Sequence, residues 1–161
     1  MNGALNLRII RTQEVPAVGA LIRDTIAISY VVFYPPRAIE FFLNYHTDDS
    51  ISRRNESGVV IVAQWGSEIV ATGSLVGKEI TGVFVRTNLQ GKNIGNLVMN
   101  WLEAYAAENG QDCVELNVSL PSRGFYEKRG YTITRSSRID VGMEQALKYW
   151  EGFKLLGKSR T

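Results

Sequence analysis

The chain has 161 residues, enough for one domain around a single core. A net charge of +2 is too small an excess to argue for nucleic acid, and a lone cysteine with a lone histidine excludes an intramolecular disulfide and leaves too few ligands for a zinc site. No apolar run approaches a membrane span, and residues 1–6 lack the charged and apolar segments of a secretory signal, so a cytoplasmic location with no membrane, nucleic-acid or metal partner is the expectation.

Residues 7–10 alternate weakly and read as a first strand. Thr12 is placed to cap a helix that starts within 13–16, where Pro16 is tolerated in the first turn. Val15, Val18, Leu21, Ile22 and Ile26 then recur at helical spacing. Tyr34-Pro35-Pro36 breaks the chain, because the residue before a proline is pushed out of the α region. A second helix follows with Ile39, Phe42 and Leu43, and His46 falls near its end or on the surface. Residues 44–57 are polar and read as a loop with room for a short helix. Arg53 and Arg54 within it are expected in solvent.

Residues 59–64 form a β-branched apolar run, a buried strand. Gly66-Ser67 and Gly77-Lys78 mark turns, so 69–76 and 79–85 complete a three-strand antiparallel meander. Residues 94–108 are helical, with Ile94, Leu97, Val98, Trp101, Leu102 and Tyr105 on one face and Asn109-Gly110 as a left-handed cap. Residues 114–118 are a strand, and Cys113 beside it reads as a buried structural thiol. A short helix at 122–129 is stopped by Gly130, and 131–135 and 148–156 are the last two strands. No repeat or linker divides residues 1–161, so a single domain is expected. The strand–helix–strand unit over 79–118 implies a right-handed parallel crossover. The class is a mixed α/β sheet of about six to seven strands, mostly antiparallel, with helices on both faces.

The most informative stretch is Gln90-Gly91-Lys92-Asn93-Ile94-Gly95-Asn96, between the strand at 79–85 and the helix at 94–108. A glycine-bearing turn into a helix leaves several N–H groups unpaired. With the positive end of the helix dipole they form a site for phosphate. Taken alone, such a turn is more often an ordinary connection. A dinucleotide or P-loop reading would need Gly-x-Gly-x-x-Gly with a ribose-binding acid, or Gly-Lys-Ser/Thr, and neither is present.

Two motifs narrow the ligand. Residues 83–95, Val-Phe-Val-Arg-Thr-Asn-Leu-Gln-Gly-Lys-Asn-Ile-Gly, resemble the acetyl-CoA motif of the GNAT superfamily of N-acetyltransferases. Phe125-Tyr126-Glu127-Lys128-Arg129-Gly130-Tyr131 is similar to that family's second signature. The order of elements over residues 7–156 also fits. The resemblance implies a sheet splayed at the cofactor site, acetyl-CoA as co-substrate and no metal. It implies that Phe84 and Val85 pair with the pantetheine arm as an added strand would. The amides of Gly91, Lys92, Asn93, Ile94, Gly95 and Asn96 would hold the pyrophosphate, with Gln90 bracing the turn or touching a phosphate. Ser119 and Ser122 would also meet the cofactor. The pattern departs at Asn93, where the family carries glycine, and at Ser119, where many relatives carry asparagine. Asparagine tolerates the left-handed region better than most residues, so the departure at Asn93 bears on affinity more than on fold.

By the same resemblance, Tyr126 is the general acid near the sulfur and the Val85 amide stabilises the oxyanion. Glu79 is the candidate base, acting directly or through water, although a solvated turn residue is its simpler reading. Tyr30, Phe33 and Tyr34 fall where such enzymes build the acceptor pocket; packing between the first two helices explains them equally well. The expected activity is acetyl transfer from acetyl-CoA to a primary amine, of a small molecule or a peptide, by direct attack in a ternary complex. Transfer of a longer acyl group and a non-catalytic CoA-binding domain are the alternatives. Homodimerisation through the terminal strands is left open.

Overall fold

The computed structural model describes residues 3–157. Its seven strands are β1 (Leu5–Ile9), β2 (Val59–Trp65), β3 (Glu68–Val76), β4 (Glu79–Val85), β5 (Cys113–Ser119), β6 (Thr132–Gly142) and β7 (Gln145–Leu155). They form one sheet in the order β1-β2-β3-β4-β5-β7-β6, antiparallel throughout except for β4 beside β5. The helices are α1 (Val15–Ser29), α2 (Pro36–Tyr45), α3 (Asp48–Ser57), α4 (Ile94–Glu108) and α5 (Arg123–Lys128). This is the mixed, mostly antiparallel α/β sheet expected from the sequence.

Helices cover both faces. On one, α4 buries Ile94, Val98, Met99 and Leu102 against Ile61, Val70 and Val114. On the other, Val18, Ile22 and Ile26 of α1 and Ile51 of α3 pack on Val60 and Val62. A strand buried on both sides needs apolar residues at every position, which is why β2 opens with an unbroken run.

Three local readings are corrected. Residues 48–57 form a helix of their own, α3. Thr47 caps it by accepting the Ser50 N–H at 3.2 Å, and Asp48 and Asp49 sit in its first turn, where negative charge suits the dipole. Thr12 does not cap α1; it begins a 3-10 turn, and the Glu14 carboxylate accepts the Arg11 N–H at 2.8 Å. The last hairpin is longer than its apolar pattern suggests. Met143 and Glu144 both take positive φ, +54° and +58°, the two-residue turn that matches strand twist, so two eleven-residue strands pair around it. Leu97 and Cys113 are also more open than expected, the first exposed and the second half-buried.

The sheet comes apart in its middle. β4 and β5 pair only at Glu79 with Glu115 and at Ile80 with Leu116. Beyond Ile80 a bulge intervenes: Thr72 pairs with Phe84 but Ser74 with Thr81, so β4 carries one extra residue. Gly82 lies in the bulge at φ +65°, a conformation that a side chain resists. The bulge turns the end of β4 away from β5 and opens a cleft between them.

Candidate active site

Two cavities meet at this cleft. One is lined by Val85, Gln90, Gly91, Asn93, Gly95 and Asn96 with Thr25, Ser29 and Phe125. The other is lined by Phe42, His46, Glu79, Gly82, Leu147 and Tyr149, among others. Tyr30, Val83, Phe84, Ser122 and Tyr126 line both.

The first cavity is built by the glycine-bearing turn. Asn93 sits at the N-cap of α4 with φ +69°, inside the left-handed region, and its Oδ1 accepts from the Asn96 amide at 2.8 Å. The Gln90 side chain donates to the Val85 carbonyl at 3.1 Å, which ties the turn back to β4. Gly91, at φ +79°, has open space where a Cβ would stand. The two sequence motifs touch: a Cβ on Gly95 would lie 3.3 Å from the Phe125 ring. Arg129 donates to Asn96 Oδ1 at 2.9 Å and to the Glu103 carboxylate at 3.0 Å, and Glu103 also accepts from Lys154 and Tyr131.

Strand alternation decides which amides face the cleft. The Arg86 N–H donates to the Val70 carbonyl on β3, and Phe84 pairs with Thr72 on the same side. The peptide groups of Val85 therefore point into the cleft. The backbone of Phe84 faces β3, so what Phe84 brings to the site is its ring. Lys92 lies outside both cavities.

Tyr126 is buried, and its hydroxyl makes no hydrogen bond among the described residues. Burial pushes its phenol pKa well up, so the proton stays on the oxygen at neutral pH. Tyr30 packs 6.0 Å from the Phe84 ring and donates to Ser119 Oγ at 3.2 Å; Ser119 in turn bonds Ser122 at 2.7 Å. The Tyr34 hydroxyl donates to the Lys148 carbonyl at 2.8 Å and accepts the Leu120 N–H at 2.9 Å. That hydroxyl is occupied in bracing, its pKa pushed up to about 12 by burial, and Tyr34 lines neither cavity. Phe33 is 47% exposed and also lines neither. Of the three aromatics expected at the acceptor side, only Tyr30 is there.

Sequence reading missed the other half of the second cavity. His46 ends α2 and is 4% exposed, its ring 5.3 Å from Phe84. Arg54 is only partly in solvent: it reaches His46 Nδ1 at 3.5 Å and donates to Ser74 at 3.3 Å. Burial, then the charge of Arg54, lowers the imidazole pKa to about 3, so the ring is neutral. The one available signal was Gly82 in mid-strand, which marks a bulge or a close approach. Here it marks both, since a Cβ on Gly82 would lie 3.0 Å from Arg54 Nη2.

Among the described residues no cluster of His, Cys, Asp or Glu could hold a metal ion, and no helix is long and apolar enough to cross a membrane.

A parallel β4–α4–β5 crossover, a bulged strand and a splayed sheet with a glycine-bearing turn at its mouth define an acyltransferase architecture. Residues 31–145 match the acetyltransferase (GNAT) domain, and the chain belongs to that family. Among solved structures it is similar to a GCN5-related N-acetyltransferase, described as aminotransferase class II, from Rhodopseudomonas palustris (19% identity, TM-score 0.86, 97% of this chain and 99% of that one). It is also similar to the PaiA N-acetyltransferase of Thermoplasma acidophilum in complex with coenzyme A (13%, 0.74, 94% and 99%) and to YncA of Salmonella typhimurium with its cofactor acetyl-CoA (14%, 0.70, 98% and 97%). No curated protein matches the chain.

Proposed function

We propose that the protein transfers the acetyl group of acetyl-CoA to a primary amine by direct attack in a ternary complex. The observation that carries this reading is the meeting of two cavities at Tyr126, one walled by the glycine-bearing turn and the other by aromatic side chains. Acetyl-CoA supplies the activated carbonyl. Its pyrophosphate fits the unpaired amides at the start of α4, and its pantetheine arm fits beside the free edge of β4.

The acceptor amine enters through the second cavity and must be neutral to attack. Its nitrogen forms the C–N bond as the C–S bond breaks, and negative charge builds on the carbonyl oxygen. The Val85 N–H, turned into the cleft, is the donor placed to receive that charge. Tyr126, still protonated, gives its proton to the departing thiolate. Among the described residues Glu79 is the one carboxylate lining the acceptor cavity, and it takes the proton from the amine, directly or through water.

Calorimetry with acetyl-CoA, CoA and ATP tests the first half: binding of both CoA species, and not of ATP, is expected. Absence of CoA binding at millimolar concentration ends the reading. Thiol release across a panel of primary amines then separates an enzyme from a CoA-binding domain.

A further inference from the structure

Arg54 is a half-buried cation without a counterion among the described residues. None of the ion pairs among the described residues includes it, and its Nη2 is shut off from solvent with no hydrogen-bond partner. A charge held this way is costly unless something pairs with it. The fold nevertheless makes room for it, by placing glycine at position 82.

The guanidinium lies directly behind His46. Arginine can only donate, so its approach to Nδ1 makes that nitrogen the acceptor and places the ring proton on Nε2. Nε2 makes no hydrogen bond among the described residues, it is not sealed off as Arg54 Nη2 is, and His46 lines the cavity. The cavity thus presents an N–H donor backed by an uncompensated positive charge. Tyr30, Phe42, Phe84, Ile139, Leu147 and Tyr149 give the cavity an apolar wall, and Glu79, Thr81, Asn117, Ser119 and Ser122 make up its polar part.

Resting on the acetyl-transfer reading above, we infer that the acceptor is an amine carrying a carboxylate on an apolar frame, the carboxylate being received by His46 Nε2–H and the charge of Arg54. His46 is then a binding residue. As a donor with its Nδ1 turned to a cation, it is not the base. Arg54 is a positioning residue, fixing the tautomer and supplying the charge.

The test compares phenylalanine with phenethylamine, and leucine with 3-methylbutylamine, pairs that differ only by the carboxylate. Acetyl-CoA-dependent thiol release gives kcat/KM, and titration of the same compounds into the CoA-saturated protein gives an affinity that does not depend on turnover. The acid is expected to be favoured by about tenfold or more over its amine. Arg54→Met and His46→Phe abolish the preference and leave CoA affinity unchanged. Arg54→Lys and His46→Gln, which keep a charge and a side-chain N–H, retain part of it and carry the test should the first pair misfold. Equal treatment of acid and amine by the unaltered protein, in turnover or in calorimetry, overturns the inference, as does a preference that survives Arg54→Met. Failure of CoA itself to bind overturns the acetyl-transfer reading, and this inference with it.

Discussion

Arg129 donates Nη1 to Asn96 Oδ1 at 2.9 Å, and that bond fixes the helix bearing Tyr126 to the first turn of α4. Its Nη2 also meets Glu103, with the two side chains only 10% and 12% exposed. Replacing Arg129 with Met leaves a nearly buried carboxylate with fewer partners, so a loss of about 3 kcal/mol is expected in denaturant unfolding. Turnover should fall further than CoA affinity, because the displaced element carries Tyr126.

Tyr126→Phe removes one oxygen from a site where the hydroxyl has no structural partner among the described residues. Turnover should drop by roughly a hundredfold, the usual scale of a general acid, with little change in melting temperature or in CoA affinity. Unchanged turnover would take Tyr126 out of the acid role.

Asn93 holds a left-handed backbone without capping α4 through its side chain. Asn93→Gly should therefore leave stability within about 0.5 kcal/mol and tighten CoA binding, by removing a Cβ beside the phosphates. Asn93→Val, branched at a positive φ, should cost about 2 kcal/mol. Paired melting curves and CoA titrations check both.

The sequence shows the sheet, α4 to the residue, and the turn that walls the first cavity, because each is written in local patterns: an unbroken β-branched run, a helical stripe, a glycine-bearing turn. Half of the second cavity was hidden. Arg54 reads as solvated because charge on a polar helix usually is. Its burial follows from three distant partners, His46, Ser74 and the space at Gly82. Phe33 misleads for the converse reason: an aromatic in the right neighbourhood sits in the turn after α1 and faces outward.

His46 is the only histidine, and its folded pKa of about 3 lies below its ordinary 6.5. The unfolded chain therefore takes up the proton first. This group's contribution is whole above pH 6.5 and is lost as pH falls from there towards 3, by at most about 1.4 kcal/mol per pH unit. Between pH 7 and 5.5, His46→Gln should flatten the decline of unfolding free energy measured by urea titration. An equally steep decline in the variant would assign it to another group.

A sheet ordinarily has two edges to guard, at its outermost strands. Because β4 and β5 part after two pairs, this one has a further pair on the inside, where the Val85 N–H is offered to any extended chain. A ligand that lies along them does more than react there: it completes a hydrogen-bonded surface that the polypeptide leaves unfinished. Abundance and resistance to aggregation in the cell should then follow the supply of that ligand, rising by mass action as the gap is filled. Activity and survival of the fold would be governed through the same few amides.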